Sequence, residues 1–256
     1  MLTRRQFLKG CTGAAVAVAG LSFFSGNRIL DQLTKSIPIL LYHRVGPESD
    51  PLTVSTQRFQ QDIEFLSWAG YHSLSLEQVR QHIVAAAPLP DKPLLITFDD
   101  GYLDNYTNAF PILQQYSMKA SFYIITGMVG QTERMSAAQI REMTTAGMDF
   151  GSHTVTHRPL AGLTLDEAGR ELKNSKHDLE QMMGKSVAFT AYPCGSYSPE
   201  VLDIAKETGY VGGFSTRYGF AGFSNNLAIR RIPIFHSDRS ISYVMFKKGF
   251  LPTMFS

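Results

Sequence analysis

The sequence is poor in cysteine and carries little net charge. It has two cysteines among 256 residues, Cys11 and Cys194, and a formal net charge of +2. Cys11 lies in an N-terminal leader, so we expect no internal disulfide in a chain that has lost this leader. The sequence has no stripe of lysine and arginine residues of the kind that would suggest nucleic-acid binding. The hydrophobic content of 44% instead predicts one sizeable globular domain.

The sequence also lacks an apolar run long enough for a membrane-spanning helix. The longest candidate has 14 uncharged residues, 11–24, whereas a span needs about 20. Arg4 and Arg5 precede it, and the order Arg-Arg-Gln-Phe-Leu-Lys resembles a twin-arginine export signal. We therefore predict a signal segment over residues 1–30 and one domain over residues 31–256. The resemblance implies the twin-arginine export machinery as a partner and a place in the periplasm or cell envelope, with membrane attachment only through an uncleaved signal segment.

Short apolar runs alternate with longer helical patterns along the rest of the chain. Three helix starts carry the pattern of a capping box: Ser75 with Gln78, Ser136 with Gln139, and Thr164 with Glu167. The apolar runs predict strands over residues 37–42, 71–74, 94–98, 120–125, 148–151, 187–192, 210–215 and 227–232. This alternation predicts a parallel α/β fold, open or barrel, with its chemistry at the carboxyl ends of the strands.

Two adjacent carboxylates, Asp99 and Asp100, stand at the end of the predicted strand 94–98. Neighbouring anions repel each other, and charge at the end of a buried strand is costly unless a cation balances it. An Asp-Asp pair on its own is more often a helix cap or a surface turn. The question is therefore which cationic group the fold brings to this position.

Two histidines, His153 and His157, follow the predicted strand 148–151 within the segment GSHTVTHRPL. If this segment makes one turn, the two rings face the same way. Two histidines and one carboxylate form a facial metal site with open positions for water and substrate. A divalent metal there would polarise a carbonyl group and activate water, and the second carboxylate would act as the base. A pair of histidines at this spacing is more often structural when it occurs alone.

The segments TFDDGY and SHTVTH together resemble the polysaccharide deacetylase family, also called the NodB-homology domain, over residues 37–240. The resemblance implies an α/β fold, a distorted and incomplete (β/α) barrel. It also implies a metal-dependent hydrolase that removes the N-acetyl group from an N-acetylated sugar polymer or oligomer and releases acetate. By motif, Asp99 is the expected general base, and Asp100, His153 and His157 are the expected ligands of one divalent ion. Zinc is the first expectation for this ion, with cobalt, nickel or manganese as alternatives.

The third motif of the family, Arg-x-Pro-aromatic-Gly, is altered in this chain. Ala191 stands where the motif has arginine, and Cys194 precedes the motif glycine. The backbone N–H of Cys194 is expected to help stabilise the oxyanion. Arg230 or Arg231, near the end of the predicted strand 227–232, is a candidate for replacing the missing arginine. Arg231 is also a candidate substrate-binding residue, as are two tyrosines near the motifs, Tyr102 and Tyr192.

The last motif of the family, Leu-x-His, normally supplies the general acid that protonates the leaving amine. This chain offers His43 at the end of its first predicted strand, and His236 near its end with Ile234 in place of leucine. The first and last strands of a closed barrel are neighbours, so either histidine could reach the site. An extra helix and short strand before Asp99 resemble a permuted subgroup that acts on poly-N-acetylglucosamine-type polymers. This resemblance favours His43, with His236 as the alternative.

Two other functions remain open at the level of sequence. Some relatives of the family open cyclic amides or imides with the same fold and metal, although an export signal argues against a role in cytosolic nitrogen metabolism. The missing arginine would also suit a catalytically weak carbohydrate-binding protein of the cell envelope.

Overall fold

The structure is a computed structural model that describes residues 36–47 and 50–254. The predicted signal segment over residues 1–30 lies outside the described residues. Within the described ranges, no helix combines the length and the apolar character that crossing a membrane requires.

Seven parallel strands close into a ring, in the order β1-β10-β9-β8-β7-β6-β5, with β5 pairing again with β1. Outside the ring, β4 pairs with β5, and β2 and β3 form a separate small sheet. The strands are β1 Ile39–Tyr42, β2 Arg44–Val45, β3 Thr53–Val54, β4 His72–Ser73, β5 Pro93–Phe98, β6 Ser121–Ile124, β7 Asp149–Ser152, β8 Phe189–Ala191, β9 Gly212–Tyr218 and β10 Ile229–Pro233. All eight predicted strands are present, and the expected (β/α) barrel is confirmed.

Helices connect the strands and surround the ring. They are α1 Thr56–Trp68, α2 Leu76–Ala85, α3 Phe110–Gln115, α4 Ala137–Thr145, α5 Leu165–Met183, α6 Pro199–Glu207, α7 Ile241–Val244 and α8 Leu251–Met254. Wider helical turns lie before α3 (Asn105–Ala109) and between α7 and α8 (Met245–Phe250). The three predicted capping boxes are confirmed at the starts of α2, α4 and α5. The short sheet β2–β3 and the C-terminal helical segment were not predicted.

Neighbouring residues of β5 belong to two different hydrophobic clusters. Leu94 and Ile96 pack outwards among the surrounding helices. Leu95 packs with residues from five other strands of the ring: Ile39, Tyr123, Phe189, Phe214 and Ile229. A cluster drawn from six ring strands fills the interior of the barrel. Because side chains alternate along a strand, Thr97 and Asp99 point to this interior as well.

Helix α2 closes the amino-terminal end of the barrel. Its residues Leu76 and Val79 belong to the interior cluster. The backbone N–H of Leu76 donates to Asp149 Oδ2 at 2.7 Å, and Asp149 is the first residue of β7. The carboxyl ends of the strands therefore form the end of the barrel at which a site can open.

Gly151, in the middle of β7, has no room for a side chain. An added Cβ would lie 2.3 Å from the ring of Tyr123 and 3.0 Å from the carbonyl oxygen of Phe189. We expect Gly151→Ala to lower the free energy of unfolding by about 1–3 kcal/mol, because the interior is already filled. Gly169→Ala in α5 is the matched control, since its nearest neighbour is Ile204 at 3.8 Å.

The control should raise the free energy of unfolding by roughly 0.5–1 kcal/mol through helix propensity. Urea unfolding of both variants measures the two effects. Equal effects of the two substitutions would contradict the packing of Gly151.

Candidate active site

The motif residues meet at the carboxyl end of the barrel. Asp99 and Asp100 follow β5, His153 follows β7, and His43 follows β1. Arg231 lies within β10, two strands from β5 across β1. A ring of parallel strands brings all these strand ends to one opening.

Asp99 is held by a buried ion pair with Arg231. The guanidinium donates from both terminal nitrogens to the carboxylate, at 2.8 Å to Oδ1 and 2.6 Å to Oδ2. The Nε of Arg231 donates to the carbonyl oxygen of Ser215 at 2.9 Å, and Arg231 is 0% exposed. Burial raises the pKa of Asp99, but the charges of Arg231 and His153 outweigh it and leave this pKa below its usual value. Asp99 is therefore an ionised, oriented carboxylate.

Of the two arginines considered as replacements for the missing motif arginine, Arg231 is the one that contacts Asp99. Arg230, the other candidate, is adjacent to it on the strand, so its side chain points to the opposite face of β10. The expectation that Arg231 binds substrate does not fit its placement. It is fully buried, and its donors are taken by Asp99, Ser215 and, at 3.3 Å, Thr97.

Asp100 turns away from Asp99 toward the two histidines. Its backbone has a φ of +73°. Its Oδ1 lies 3.3 Å from Nε2 of His153 and 3.3 Å from Nε2 of His157. One oxygen or nitrogen from each of the three residues lies within 4.8 Å of the others. Burial raises the pKa of Asp100, but contact with His153 and the histidine charges lower it well below its usual value.

His153 is fixed in one orientation by the backbone of the altered motif. Its Nδ1 lies 2.7 Å from the carbonyl oxygen of Ala191. A carbonyl oxygen only accepts hydrogen bonds, so Nδ1 carries a proton and Nε2 is the ring nitrogen that faces Asp100. His157 is more open, with 31% of its side chain exposed. Burial, followed by the charge of His153, lowers the pKa of His157.

The two candidate acids have different surroundings. The Nδ1 of His43 is buried and has no hydrogen-bond partner among the described residues. Burial lowers the pKa of His43, while the charges of Asp99 and Asp100 act in the opposite direction. His236 instead contacts the segment before and within β3. Its Nδ1 lies 3.1 Å from the carbonyl oxygen of Thr53.

Two of the remaining candidates do not have the surroundings expected of them. Tyr192 is buried in the outer cluster, with its ring centre 5.3 Å from that of Tyr197. The ring of Tyr102 packs against guanidinium groups, whose carbons lie 4.6 Å (Arg44) and 3.9 Å (Arg134) from its centre. Neither placement fits a ring that stacks on a sugar. Tyr192 is fully buried, and the ring of Tyr102 already has cationic partners.

Cys194 is exposed and lies on the loop after β8. Its φ of +56° is a left-handed conformation, followed by a second one at Gly195 with a φ of +65°. The contribution of the backbone N–H of Cys194 to an oxyanion stays a prediction.

The sequence analysis missed two polar residues that bind the backbone around His43 to the segment that follows Asp100. Asn105 donates from its side-chain amide to the carbonyl oxygen of His43 at 2.8 Å. Asp104 accepts a hydrogen bond from the backbone N–H of Val45 at 3.1 Å and from Nε of Arg44 at 2.7 Å. Both follow Asp100 by only a few residues, so a polar Asp-Asn pair directly after TFDDGY was the signal that could have identified them.

Comparison with known proteins agrees with this geometry. The sequence model of the polysaccharide deacetylase family matches residues 86–213. YxkH of Bacillus subtilis, named for the same family, is 33% identical over 199 residues, which are 77% of this chain and 71% of YxkH. The chain belongs to the polysaccharide deacetylase family. This membership confirms the enzyme class expected from the sequence, a carbohydrate N-deacetylase.

Other polysaccharide deacetylases show which branch of the family the chain resembles. The poly-β-1,6-N-acetyl-D-glucosamine N-deacetylase of Staphylococcus epidermidis is 28% identical, covering 74% of this chain and 75% of that protein. The deacetylase PplD of Streptococcus pyogenes, solved with acetate, superposes with a TM-score of 0.79 at 32% identity, covering 83% of this chain and 98% of PplD. IcaB of Ammonifex degensii gives a TM-score of 0.73 at 26% identity, covering 78% and 92%. The predicted resemblance to poly-N-acetylglucosamine deacetylases is confirmed.

The ion pair between Arg231 and Asp99 can be tested through stability. Arg231→Met leaves Asp99 buried and unpaired, so we expect the free energy of unfolding to fall by about 3–5 kcal/mol. Asp99→Asn removes the buried charge, and the double variant should recover part of this loss. Urea unfolding of all four proteins gives the coupling energy.

Arg230→Met, on the other face of β10, is the matched control. We expect a change of at most about 0.5 kcal/mol, as for an ordinary surface substitution. Strictly additive effects of the Arg231 and Asp99 substitutions would contradict the ion pair.

Proposed function

We propose that this chain hydrolyses the N-acetyl group of an N-acetylated polysaccharide or oligosaccharide, with a divalent metal held by Asp100, His153 and His157. One observation carries the metal assignment. Asp100 Oδ1 is buried, accepts no hydrogen bond from any described residue, and faces the Nε2 atoms of both histidines at 3.3 Å. An ionised oxygen in this position needs a cation.

The donor set fits such a metal. Two imidazole nitrogens and one carboxylate oxygen leave open positions, and this combination accepts zinc first, with cobalt, nickel or manganese as alternatives. The hydrogen bond from His153 Nδ1 to the carbonyl oxygen of Ala191 is the kind of outer contact that orients a ligating histidine. When bound, such an ion supplies Lewis acidity toward an acyl oxygen and toward water.

Asp99 is the proposed general base. Arg231 keeps it ionised and fixes its plane, and each carboxylate oxygen retains a second lone pair beyond the one that Arg231 uses. Asp99 would accept the proton of the attacking water at a carboxylate oxygen. The backbone N–H of Cys194 is proposed to donate to the oxygen that gains negative charge.

His43 is the proposed general acid. Its Nδ1 is buried and lacks a hydrogen-bond partner in the described part of the chain. The charges of Asp99 and Asp100 act to raise the pKa of this histidine. It would donate a proton to the departing nitrogen, because an amine leaves poorly unless it is protonated. The contacts of His236 to Pro51 and Thr53 support a structural role for that residue instead.

The alternatives have less support. The catalytically weak binder rested on the missing motif arginine, yet Arg231 pairs with the proposed base. Against a cyclic amide, the relative from Staphylococcus epidermidis is named for a polysaccharide substrate, poly-β-1,6-N-acetyl-D-glucosamine. Export to the periplasm or cell envelope by the twin-arginine machinery is proposed on the leader sequence alone.

The roles of the two carboxylates separate experimentally. His157→Ala and Asp100→Ala should each lose bound metal and activity together. Asp99→Asn should keep the metal, because Asp99 faces Arg231, yet lose about 10²–10⁴-fold in turnover, as expected for a general base. Metal content after dialysis, measured beside acetate release from N-acetylglucosamine oligomers, tests this. Loss of metal from Asp99→Asn with retention in Asp100→Asn would show that the roles are reversed.

The proposed acid is tested by comparing two substrates. His43→Ala should strongly reduce acetate release from an N-acetyl sugar and spare hydrolysis of an activated aryl acetate, whose leaving group needs no proton. The loss for the amide should be about 10²–10⁴-fold. His236→Ala is the matched control and should change both rates equally. An amide-selective defect in His236→Ala, with none in His43→Ala, would transfer the role to His236.

A further inference from the structure

The loop that carries His157 is held in an unusual backbone conformation. Thr154 has a φ of +65° and His157 a φ of +62°, so two residues with side chains adopt left-handed geometry within four positions. Such values are uncommon for any residue other than glycine, and a β-branched threonine is especially disfavoured there. The loop therefore needs contacts from outside it to keep this shape.

Glu171 of α5 supplies these contacts. Its Oε2 accepts hydrogen bonds from the backbone N–H groups of Val155 at 2.8 Å and Thr156 at 2.9 Å. Its Oε1 accepts the hydroxyl hydrogen bond of Thr156 at 2.6 Å. The side chain is buried and forms no ion pair with any described residue. Among the described residues, the carboxylate of Glu171 is stabilised by its hydrogen bonds to the loop, and charge-assisted hydrogen bonds of this kind are strong.

The contacts of Glu171 lie between the two strained residues. Thr154 comes directly before Val155, and His157 comes directly after Thr156. Glu171 therefore fixes the two residues that separate the strained ones. Within the loop, the backbone N–H of His157 donates to the hydroxyl of Thr154 at 3.1 Å. Fixing the central peptides thus fixes the direction in which the imidazole of His157 leaves the backbone.

The other histidine is held by a different part of the fold. His153 is completely buried among the strands, and its Nδ1 donates to the carbonyl oxygen of Ala191. Loss of the Glu171 contacts would therefore act on His157 and leave His153 and Asp100 in place.

We propose that Glu171 is a positioning residue for His157. By holding the peptides of Val155 and Thr156, it keeps His157 Nε2 at 3.3 Å from Asp100 Oδ1 and so completes the three-residue donor set. This inference rests on the proposed metal site. Without Glu171, residues 154–157 relax toward ordinary backbone geometry, and the site retains only two of its three ligands.

The test compares metal affinity in the full chain. Glu171→Ala should weaken Co²⁺ or Zn²⁺ binding by about 10–100-fold, the range for loss of an outer contact to a metal ligand, measured by competition with a chelator. It should also change the visible absorption spectrum of the Co²⁺ protein toward that of His157→Ala. Glu171→Gln keeps the shape and one acceptor oxygen, and it should restore most of the affinity.

A matched control and a double variant separate positioning from a general structural role. Glu180, also on α5, accepts a hydrogen bond from the backbone of Val187 at 2.9 Å but does not touch the histidine loop. Glu180→Ala should leave the metal affinity unchanged. In a His157→Ala chain, Glu171→Ala should cause no further loss of affinity, because its effect passes through His157. A further loss there would overturn the proposal.

A milder substitution covers the case in which Glu171→Ala does not fold. Thr156→Val removes only the hydroxyl contact, and it should weaken metal binding several-fold in the wild-type chain and not at all beside His157→Ala. Full affinity in Thr156→Val, with normal loss in His157→Ala, would overturn the role of Glu171 alone. Failure of the wild-type chain to bind Co²⁺ or Zn²⁺ would instead overturn the metal site itself.

Discussion

The repulsion between two adjacent carboxylates at a buried strand end governs the arrangement of the site. Asp99 continues the inward alternation of β5 and meets Arg231 inside the barrel. Asp100 adopts a left-handed conformation and turns to His153 and His157. The chain thus separates two identical groups by giving each its own partners, Arg231 for Asp99 and two histidines for Asp100. Two carboxylates in different surroundings can take different roles in one reaction.

The altered third motif shows which part of a motif residue the fold uses. With Ala191 in the arginine position, the side chain is gone, but the backbone carbonyl still orients His153. The guanidinium comes from Arg231 on β10, which reaches Asp99 through the barrel interior. This replacement works because the ring is closed: β10 is separated from β5 only by β1. The missing motif arginine therefore does not leave Asp99 without a cationic partner.

Local patterns were sufficient to predict the strands, the capping boxes and the motif residues at strand ends. The partners of those residues could not be predicted with equal certainty, because they depend on contacts between distant parts of the chain. Arg231 and Asp99 are 132 positions apart, and only the closed ring brings them together. Tyr192 was a candidate because of its place beside the motifs, and its burial against Tyr197 depends on packing that the local sequence does not show. The C-terminal helical segment was missed because Gly249 and Pro252 interrupt any regular helical pattern.

Backbone strain is concentrated where the site residues lie. Eight described residues other than glycine have a positive φ, and four of them belong to the motif loops: Asp100, Thr154, His157 and Cys194. Strained residues persist only where surrounding contacts hold them. Arg134 donates to the carbonyl oxygen of Asp100 at 2.9 Å, and Glu171 holds the loop of His157. Charged side chains outside the motifs thus maintain the conformations in which the motif residues can act together.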